Sequence, residues 1–338
     1  MKKVRVGVAG YGVIGQRLAD GVALQEDMEL VGVADVAATL PVRALAERGM
    51  PYPLFAATAD TSSLEQAGVA VSGSFDDLLG DVDIMLDATS AGIGARNKSR
   101  YVQQGVKAVF QGGEAGEVAD VFFHGYANYD NGIGKDYLKL TSCNTTGLVR
   151  AVDCLDRDAG VSKVVVTIIR RVADPGDIHR GLVDVLLMEP IPNHQAVDLM
   201  HIMPHVEATG LLVHTPVTHG HIITVVATPR RRVTVDEVLD LFHAHPRVRV
   251  VNIADGFNSN TAMFNYARFR GNPRGDMYEV ALFSETVGLS GDDVVFAVSI
   301  PQESVVIPET MDAIRAAMPM QTRREEALAL TNSYLGME

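Results

Sequence analysis

A chain of 338 residues, 47% hydrophobic and 21% charged, has the make-up of a globular protein and the length for two separate cores. Its net charge of −13 and lack of any basic tract speak against nucleic acid as a partner. No apolar run approaches the ~20 residues that span a membrane, and the basic start Met1-Lys2-Lys3-Val4-Arg5 leads into a short apolar stretch closed by glycines, which reads as a first strand, so the cytoplasm is the expected location.

Val4, Val6 and Val8 alternate as a strand does and run into Gly10-Tyr11-Gly12-Val13-Ile14-Gly15, followed by a helical segment from Gln16 to Leu24. A second strand, Glu29 to Asp35, ends in an acid 20 residues after Gly15. This order is that of a dinucleotide-binding fold: Gly10, Gly12 and Gly15 allow a tight turn and close approach to a pyrophosphate at a helix N-terminus, and Asp35 is placed for the adenosine ribose. A carboxylate there repels a 2′-phosphate, which favours NAD over NADP. Pro41 to Arg48 reads as a helix, Pro51 to Ala57 as a short strand and Asp60 to Ala67 as a polar connection. The alternation resumes with strand Asp83 to Thr89, helix Ala91 to Gln104 and strand Lys107 to Phe110, which ends at Gln111-Gly112-Gly113-Glu114. Cofactors lie beyond the carboxyl ends of parallel strands, so Thr89, Gly112 and Gly113 are expected on the nicotinamide side.

Leu138 and Leu140 alternate into Thr141-Ser142-Cys143-Asn144-Thr145-Thr146-Gly147-Leu148, after which Val149, Val152 and Leu155 recur with a helical period. Cys143 thus stands at a strand-to-helix corner, beside capping residue types and a positive dipole end that favour thiolate, the nucleophilic form. Cys154, 11 residues on, is roughly 16 Å away along the helix, beyond disulfide reach. The absence of CxxC weighs against a zinc-thiolate site.

Beyond this helix the pattern becomes α+β. Strand candidates are Val161 to Ile169, Gly210 to Val213, His221 to Ala227, Val248 to Ile253, Asp276 to Phe283 and Asp293 to Ile300, with helices at Gln195 to Met203 and Val235 to Ala244. Thr310 to Met318 and Thr322 to Tyr334 read as terminal helices that return to the first domain. The fold class expected is α/β: a doubly wound, Rossmann-type parallel sheet over 1–142 and 303–338, and an α+β catalytic domain with a mostly antiparallel sheet over 143–302. Nine of the ten histidines follow Cys143. In His219-Gly220-His221 alternate residues share a face, so both imidazoles can point one way toward a thiol in need of a base. Metal binding by His201, His205, His219 and His221 is the competing reading, but Pro204 interrupts one pair and no HExxH motif accompanies them, so no metal is expected. Of Arg170 and Arg171, at least one is a candidate for a ligand phosphate or carboxylate.

Six blocks in order, Gly10-Tyr11-Gly12-Val13-Ile14-Gly15, Phe110-Gln111-Gly112-Gly113-Glu114, Ser142-Cys143-Asn144-Thr145-Thr146-Gly147-Leu148, Arg170-Arg171-Val172-Ala173-Asp174-Pro175, His219-Gly220-His221 and Gln302-Glu303 through Pro308-Glu309 to Asp312-Ala313-Ile314-Arg315-Ala316, resemble the archaeal-type (type II) glyceraldehyde-3-phosphate dehydrogenases. The resemblance implies Cys143 as nucleophile and His219 as general base. It implies Ser142, Cys143, Asn144, His194 and Gln195 as substrate and phosphate residues, and the hydroxyl of Thr145 or Thr146 is a further candidate for holding phosphate. Val13, Ile14, Gly112 or Gly113, Arg171 and Gln302 match cofactor positions. A homotetramer of two-domain subunits is implied likewise. The chain departs from the family at Ala34-Asp35-Val36, where a Lys/Thr-containing segment linked to NADP is familiar, and at Gln195, where a second histidine is common.

The chemistry expected is oxidation of glyceraldehyde 3-phosphate by NAD, with NADP as a second cofactor, through a Cys143 thiohemiacetal and thioester that inorganic phosphate cleaves, and the reverse. The alternatives are a related thiol-dependent semialdehyde or acyl-phosphate dehydrogenase, and a non-catalytic NAD-sensing protein.

Overall fold

The computed structural model describes residues 2–171, 186–318, 320 and 323–337. They fall into two compact units, Met1–Leu140 with Ile307–Gly336, and Thr141–Val306 with Met337–Glu338.

In the first unit, short strands and helices alternate: β1 (Val4–Ala9), α1 (Val13–Ala23), β2 (Met28–Asp35), α2 (Leu40–Glu47), β3 (Leu54–Ala56), α3 (Ser62–Gln66), β4 (Gly73–Ser74), α4 (Phe75–Asp81), β5 (Ile84–Asp87), α5 (Ile93–Gln104), β6 (Lys107–Phe110), β7 (Val121–Phe123), α6 (Gly125–Asn128) and β8 (Tyr137–Leu140). The strands lie in the order β4-β3-β2-β1-β5-β6-β8-β7, every neighbouring pair parallel. Such a sheet is covered on both faces, which is why Val6, Val8, Ile84, Leu86 and Val109 are all sealed from solvent. Strand order reverses between β1 and β5, the switch point at which ligands bind in open α/β sheets. The polar connection expected at Asp60 to Ala67 contains the short α3. Its neighbour α4 is fixed by a capping box in which Ser74 and Asp77 satisfy each other's main-chain N–H groups.

In the second unit the elements are α7 (Cys143–Ala159), β9 (Val161–Arg171), β10 (Leu187–Glu189), α8 (His194–Ile202), β11 (Glu207–Thr215), β12 (His221–Pro229), α9 (Val235–His243), β13 (Val248–Val251), α10 (Asn260–Phe269), β14 (Val280–Phe283), β15 (Gly288–Ser290) and β16 (Asp293–Ile300). The sheet runs β10-β11-β9-β12-β16-β14-β13 with β15 beside β16. All its pairs are antiparallel except β9 with β11 and β13 with β14, so the sheet is mixed and mostly antiparallel. On β9 Val164, Val166 and Ile168 are buried while Lys163 and Val165 face out, the period of two of a sheet covered on one side. Strand β14 is shorter than the expected Asp276 to Phe283. Met277 donates its N–H to Ser304 Oγ and the Tyr278 carbonyl accepts from Arg150, so side chains hold this stretch instead of a ladder.

Helices α11 (Val306–Ala317) and α12 (Arg324–Tyr334) end the chain; Thr322, the expected start of the last helix, lies outside the described residues. Apart from Val306 they belong to the first unit. Arg315, fully buried, fixes them there: it donates to both carboxylate oxygens of Asp27 at 2.7 and 2.9 Å, to Gln25 Oε1 at 2.9 Å and to Thr331 Oγ1 at 2.7 Å.

Candidate active site

Cys143 is the first residue of α7. The residue that caps this helix is Ser142, whose Oγ accepts the Thr145 N–H at 3.3 Å, and not one of Asn144, Thr145 or Thr146. Those three lie inside the first turn and are buried. The Thr145 hydroxyl meets Ser142 Oγ at 3.0 Å and Thr146 meets Thr141 at 2.9 Å, whereas Asn144 Oδ1 has no protein partner among the described residues.

The imidazole at the sulfur is that of His221, with Nε2 3.5 Å from Cys143 Sγ. On its other side Nδ1 accepts the main-chain N–H of Arg171 at 3.1 Å. A ring nitrogen that accepts carries no proton, so in the neutral ring the proton resides on Nε2, facing the sulfur. His219 stands elsewhere. It precedes β12, its Nδ1 lies 2.8 Å from Thr218 Oγ1 and its ring stacks on Phe264 at 4.0 Å; no hydrogen bond joins it to Cys143 among the described residues. Alternation predicts a shared face for the two histidines, but Gly220, at φ +61°, turns the chain just before the strand and separates them.

Burial governs both reactive groups. Desolvation pushes the Cys143 thiol up to about 11, against the pull of the Arg170 and Arg171 guanidinium groups and the Asn144 main-chain N–H. The expectation of a favoured thiolate considered the helix end without this loss of water. Desolvation also takes His221 well below the ordinary histidine value, helped by the same two arginines, so the ring is neutral.

The arginines differ in role. Arg171 is buried, and its Nη1 donates to Glu303 Oε1 at 2.6 Å and to the Thr218 carbonyl at 3.0 Å. The Arg170 guanidinium makes no hydrogen bond or ion pair among the described residues, yet its charge is felt at both Cys143 and His221. Val172 to Pro175 of the same block lie outside the described residues. On α8, capped by Asn193, His194 is exposed at the first position. Gln195 is buried with both amide atoms lacking a protein partner. Gln302 lines a separate cavity of about 420 Å³ with His219, Asn260 and Phe264.

In the first unit a cleft of about 900 Å³ opens at the carboxyl ends of β1, β2 and β5, with Gly10, Gly12, Asp35 and Thr89 in its wall. Gly10 has φ +84° and passes close to the Ala88 carbonyl. A Cβ on Gly15 would lie 1.8 Å from the Gly10 carbonyl oxygen, which makes this glycine a requirement of helix-on-strand contact. Gly12 faces open space, and α1 starts on it without a side-chain cap or first-turn acid. An uncapped helix end opening on a cleft fits the pyrophosphate of a dinucleotide. Asp35 is held by the N–H groups of Tyr11 at 2.9 Å and Val36 at 2.7 Å. Val13 and Ile14 form the half-buried first turn of α1, and Gly112 with Gly113 forms the turn after β6; none of these, nor Gly15, is in the cleft wall. Sequence reasoning missed Asp87. This buried carboxylate at the end of β5 accepts from the Thr89 N–H at 3.1 Å, Asn97 at 3.0 Å and the Tyr101 hydroxyl at 2.6 Å, and so sets two residues of the cleft wall. An acid ending a strand in a parallel sheet was the signal available. Among the described residues no group of histidine, cysteine and carboxylate side chains could hold a metal ion, and no helix is long and apolar enough to cross a membrane.

A family description, "Glyceraldehyde 3-phosphate dehydrogenase, C-terminal domain", matches residues 142–265. The chain is 37% identical over 341 residues to a glyceraldehyde-3-phosphate dehydrogenase of Archaeoglobus fulgidus, covering 100% of this chain and 99% of that one. It is 36% identical over 339 residues to one of Methanosarcina mazei, covering 100% of each. The chain belongs to the glyceraldehyde-3-phosphate dehydrogenase family, in its archaeal type. Membership makes it an oxidoreductase with a nicotinamide cofactor. In fold it is similar to an aspartate semialdehyde dehydrogenase II from Vibrio cholerae, with a TM-score of 0.65 at 14% identity over 94% of this chain and 98% of that one. Within the family the blocks that carried the resemblance have a structural account here: the glycines form the uncapped α1 turn, and the cysteine block forms the capped start of α7.

Proposed function

We propose that this chain oxidises glyceraldehyde 3-phosphate to 1,3-bisphosphoglycerate with uptake of inorganic phosphate, and runs the reverse reaction, with NAD as the preferred cofactor. The observation that carries the reading is the thiol of Cys143 set 3.5 Å from a neutral, buried imidazole at the start of a helix. With substrate and cofactor bound, the Cys143 thiol gives up its proton to water and the thiolate adds to the aldehyde carbon. The carbonyl electrons move to oxygen, and His221 Nε2–H is the donor available to stabilise that charge. Hydride departure from the same carbon leaves a thioester on Cys143; the nicotinamide, when bound, supplies the hydride acceptor. A phosphate oxygen then attacks the thioester carbon, the C–S bond breaks, the thiolate returns and the phosphate proton passes to water. Ser142, Thr145, His194 and the Arg170 guanidinium are the donors assigned to the phosphate groups. Asn144 Oδ1 and the Gln195 amide, each costing about 1–3 kcal/mol if left unpaired, are assigned to the substrate.

The dinucleotide cleft supports NAD over NADP. Among the described residues no lysine or arginine stands in its wall, while the Asp35 carboxylate does. We assign the nucleotide-binding role to 1–142 with 303–338 and catalysis to 143–302. A cytoplasmic homotetramer is the expected assembly; Val165 and Leu211, exposed on one face of the second sheet among the described residues, support a subunit interface there. The test is NAD reduction followed at 340 nm with glyceraldehyde 3-phosphate, with and without inorganic phosphate, and again with NADP. Phosphate-dependent formation of NADH, faster than NADPH, is the expected result. Phosphate-independent reduction would point to a hydrolysing relative, and activity confined to other aldehydes to a semialdehyde dehydrogenase.

A further inference from the structure

Three strands of chain that are distant in sequence meet behind the reactive imidazole. The loop after β16 brings Glu303, β9 ends on Arg171, and the turn before β12 brings the Thr218 carbonyl. The Arg171 guanidinium ties the other two together, buried, with an Arg-to-carboxylate contact of 2.6 Å. Charge-assisted pairs of this kind hold their geometry more tightly than neutral ones. Arg171 also makes the one main-chain contact that decides the protonation pattern of His221, its N–H on Nδ1 at 3.1 Å. Glu303 does not itself hydrogen-bond either reactive group among the described residues.

We propose that Glu303 is a positioning residue: by pinning Arg171 it sets the Arg171 main-chain N–H against Nδ1 of His221 and so keeps the imidazole proton on Nε2, facing the Cys143 sulfur. The consequence for the reaction rests on the proposed function above; the tautomer itself does not. Were the Arg171 N–H to move off, Nδ1 could take the proton and Nε2 would present a lone pair to sulfur and to a developing oxyanion, where a donor is needed. The side chain required at position 303 is therefore an acceptor of fixed length. Glutamine supplies an acceptor without the charge, and alanine supplies neither.

The test is ¹⁵N NMR of the full chain labelled at histidine, with the His221 resonances assigned by their absence from His221→Gln. In the unaltered protein the protonated nitrogen of His221 should be Nε2. In Glu303→Ala the signals should report a mixture of tautomers, and kcat should fall about 10- to 100-fold, the scale of a lost positioning contact, with the KM for NAD changed less than threefold. Glu303→Gln should restore most of the Nε2–H signature and of kcat. A Glu303→Ala variant that unfolds earlier but keeps the Nε2–H signature would reduce Glu303 to a structural role and overturn the proposal; so would an Nδ1–H ring in the unaltered protein. Because the spectra need no substrate, absence of turnover with glyceraldehyde 3-phosphate would defeat the functional reading and leave this one standing or falling by its own signal.

Discussion

The Cys143 sulfur lies where the start of α7, Arg170 and Arg171 all favour a negative charge and where withdrawal from water opposes one. Desolvation is the larger effect, so the ligand-free thiol holds its proton up to about pH 11 rather than the ordinary 9.0. Alkylation of the resting protein by iodoacetamide should accordingly climb with a midpoint near 11, and a midpoint at or below 9.0 would mean that the cations prevail. The sign of the stability effect follows: the fold retains a proton that the unfolded chain releases, so the contribution is present below pH 9.0 and is lost as pH rises toward 11. Residue types around the sulfur were legible in the sequence. The balance was not, because it depends on burial, and the cap fell to Ser142 because its Oγ, one residue before the helix, is the atom that reaches the Thr145 N–H.

On β12 the useful signal was periodicity, and it carried only as far as the strand does. His221 opens the strand and meets the thiol, while His219 lies outside it on Phe264. His221→Ala should lower kcat/KM by about 10²- to 10⁴-fold, the worth of a positioned proton-bearing group, and His219→Ala by no more than a few-fold. Steady-state rates on both variants decide the point; the opposite ranking would return the role to His219. The centre of the parallel sheet was readable for a related reason, since β1 runs into Gly10 and β2 and β5 end on Asp35 and Asp87, whereas the short edge strands β4 and β7 were not read. Elements without such a run were missed. Helix α4 depends on a four-residue cap, and α10 on Ser259, whose Oγ accepts the Ala262 N–H. Partners far apart in sequence, such as Arg171 and Glu303 at 132 positions, leave no local trace at all.

At the scale of the whole molecule, the first unit depends on residues from both chain ends, and Arg315 is the tie. Removing its guanidinium takes the donor from the Asp27 carboxylate, Gln25 Oε1 and Thr331 Oγ1. Breaking a buried pair costs about 3–5 kcal/mol, and since Asp27 keeps some contact with water the lower end applies. For a unit of this size Arg315→Ala should bring the thermal midpoint down by about 6–12 °C, measured by differential scanning calorimetry. An unchanged midpoint would show that α11 and α12 are held by apolar contacts alone.

This arrangement also sets an order of events during synthesis. All of the second unit except Met337 and Glu338 is the stretch Thr141–Val306, which leaves the ribosome before the residues that complete the first unit have been made. Domains commonly fold from the N-terminus onward. Here the parallel sheet of the first unit, though translated before the second unit, waits for Ile307–Gly336 and closes after it.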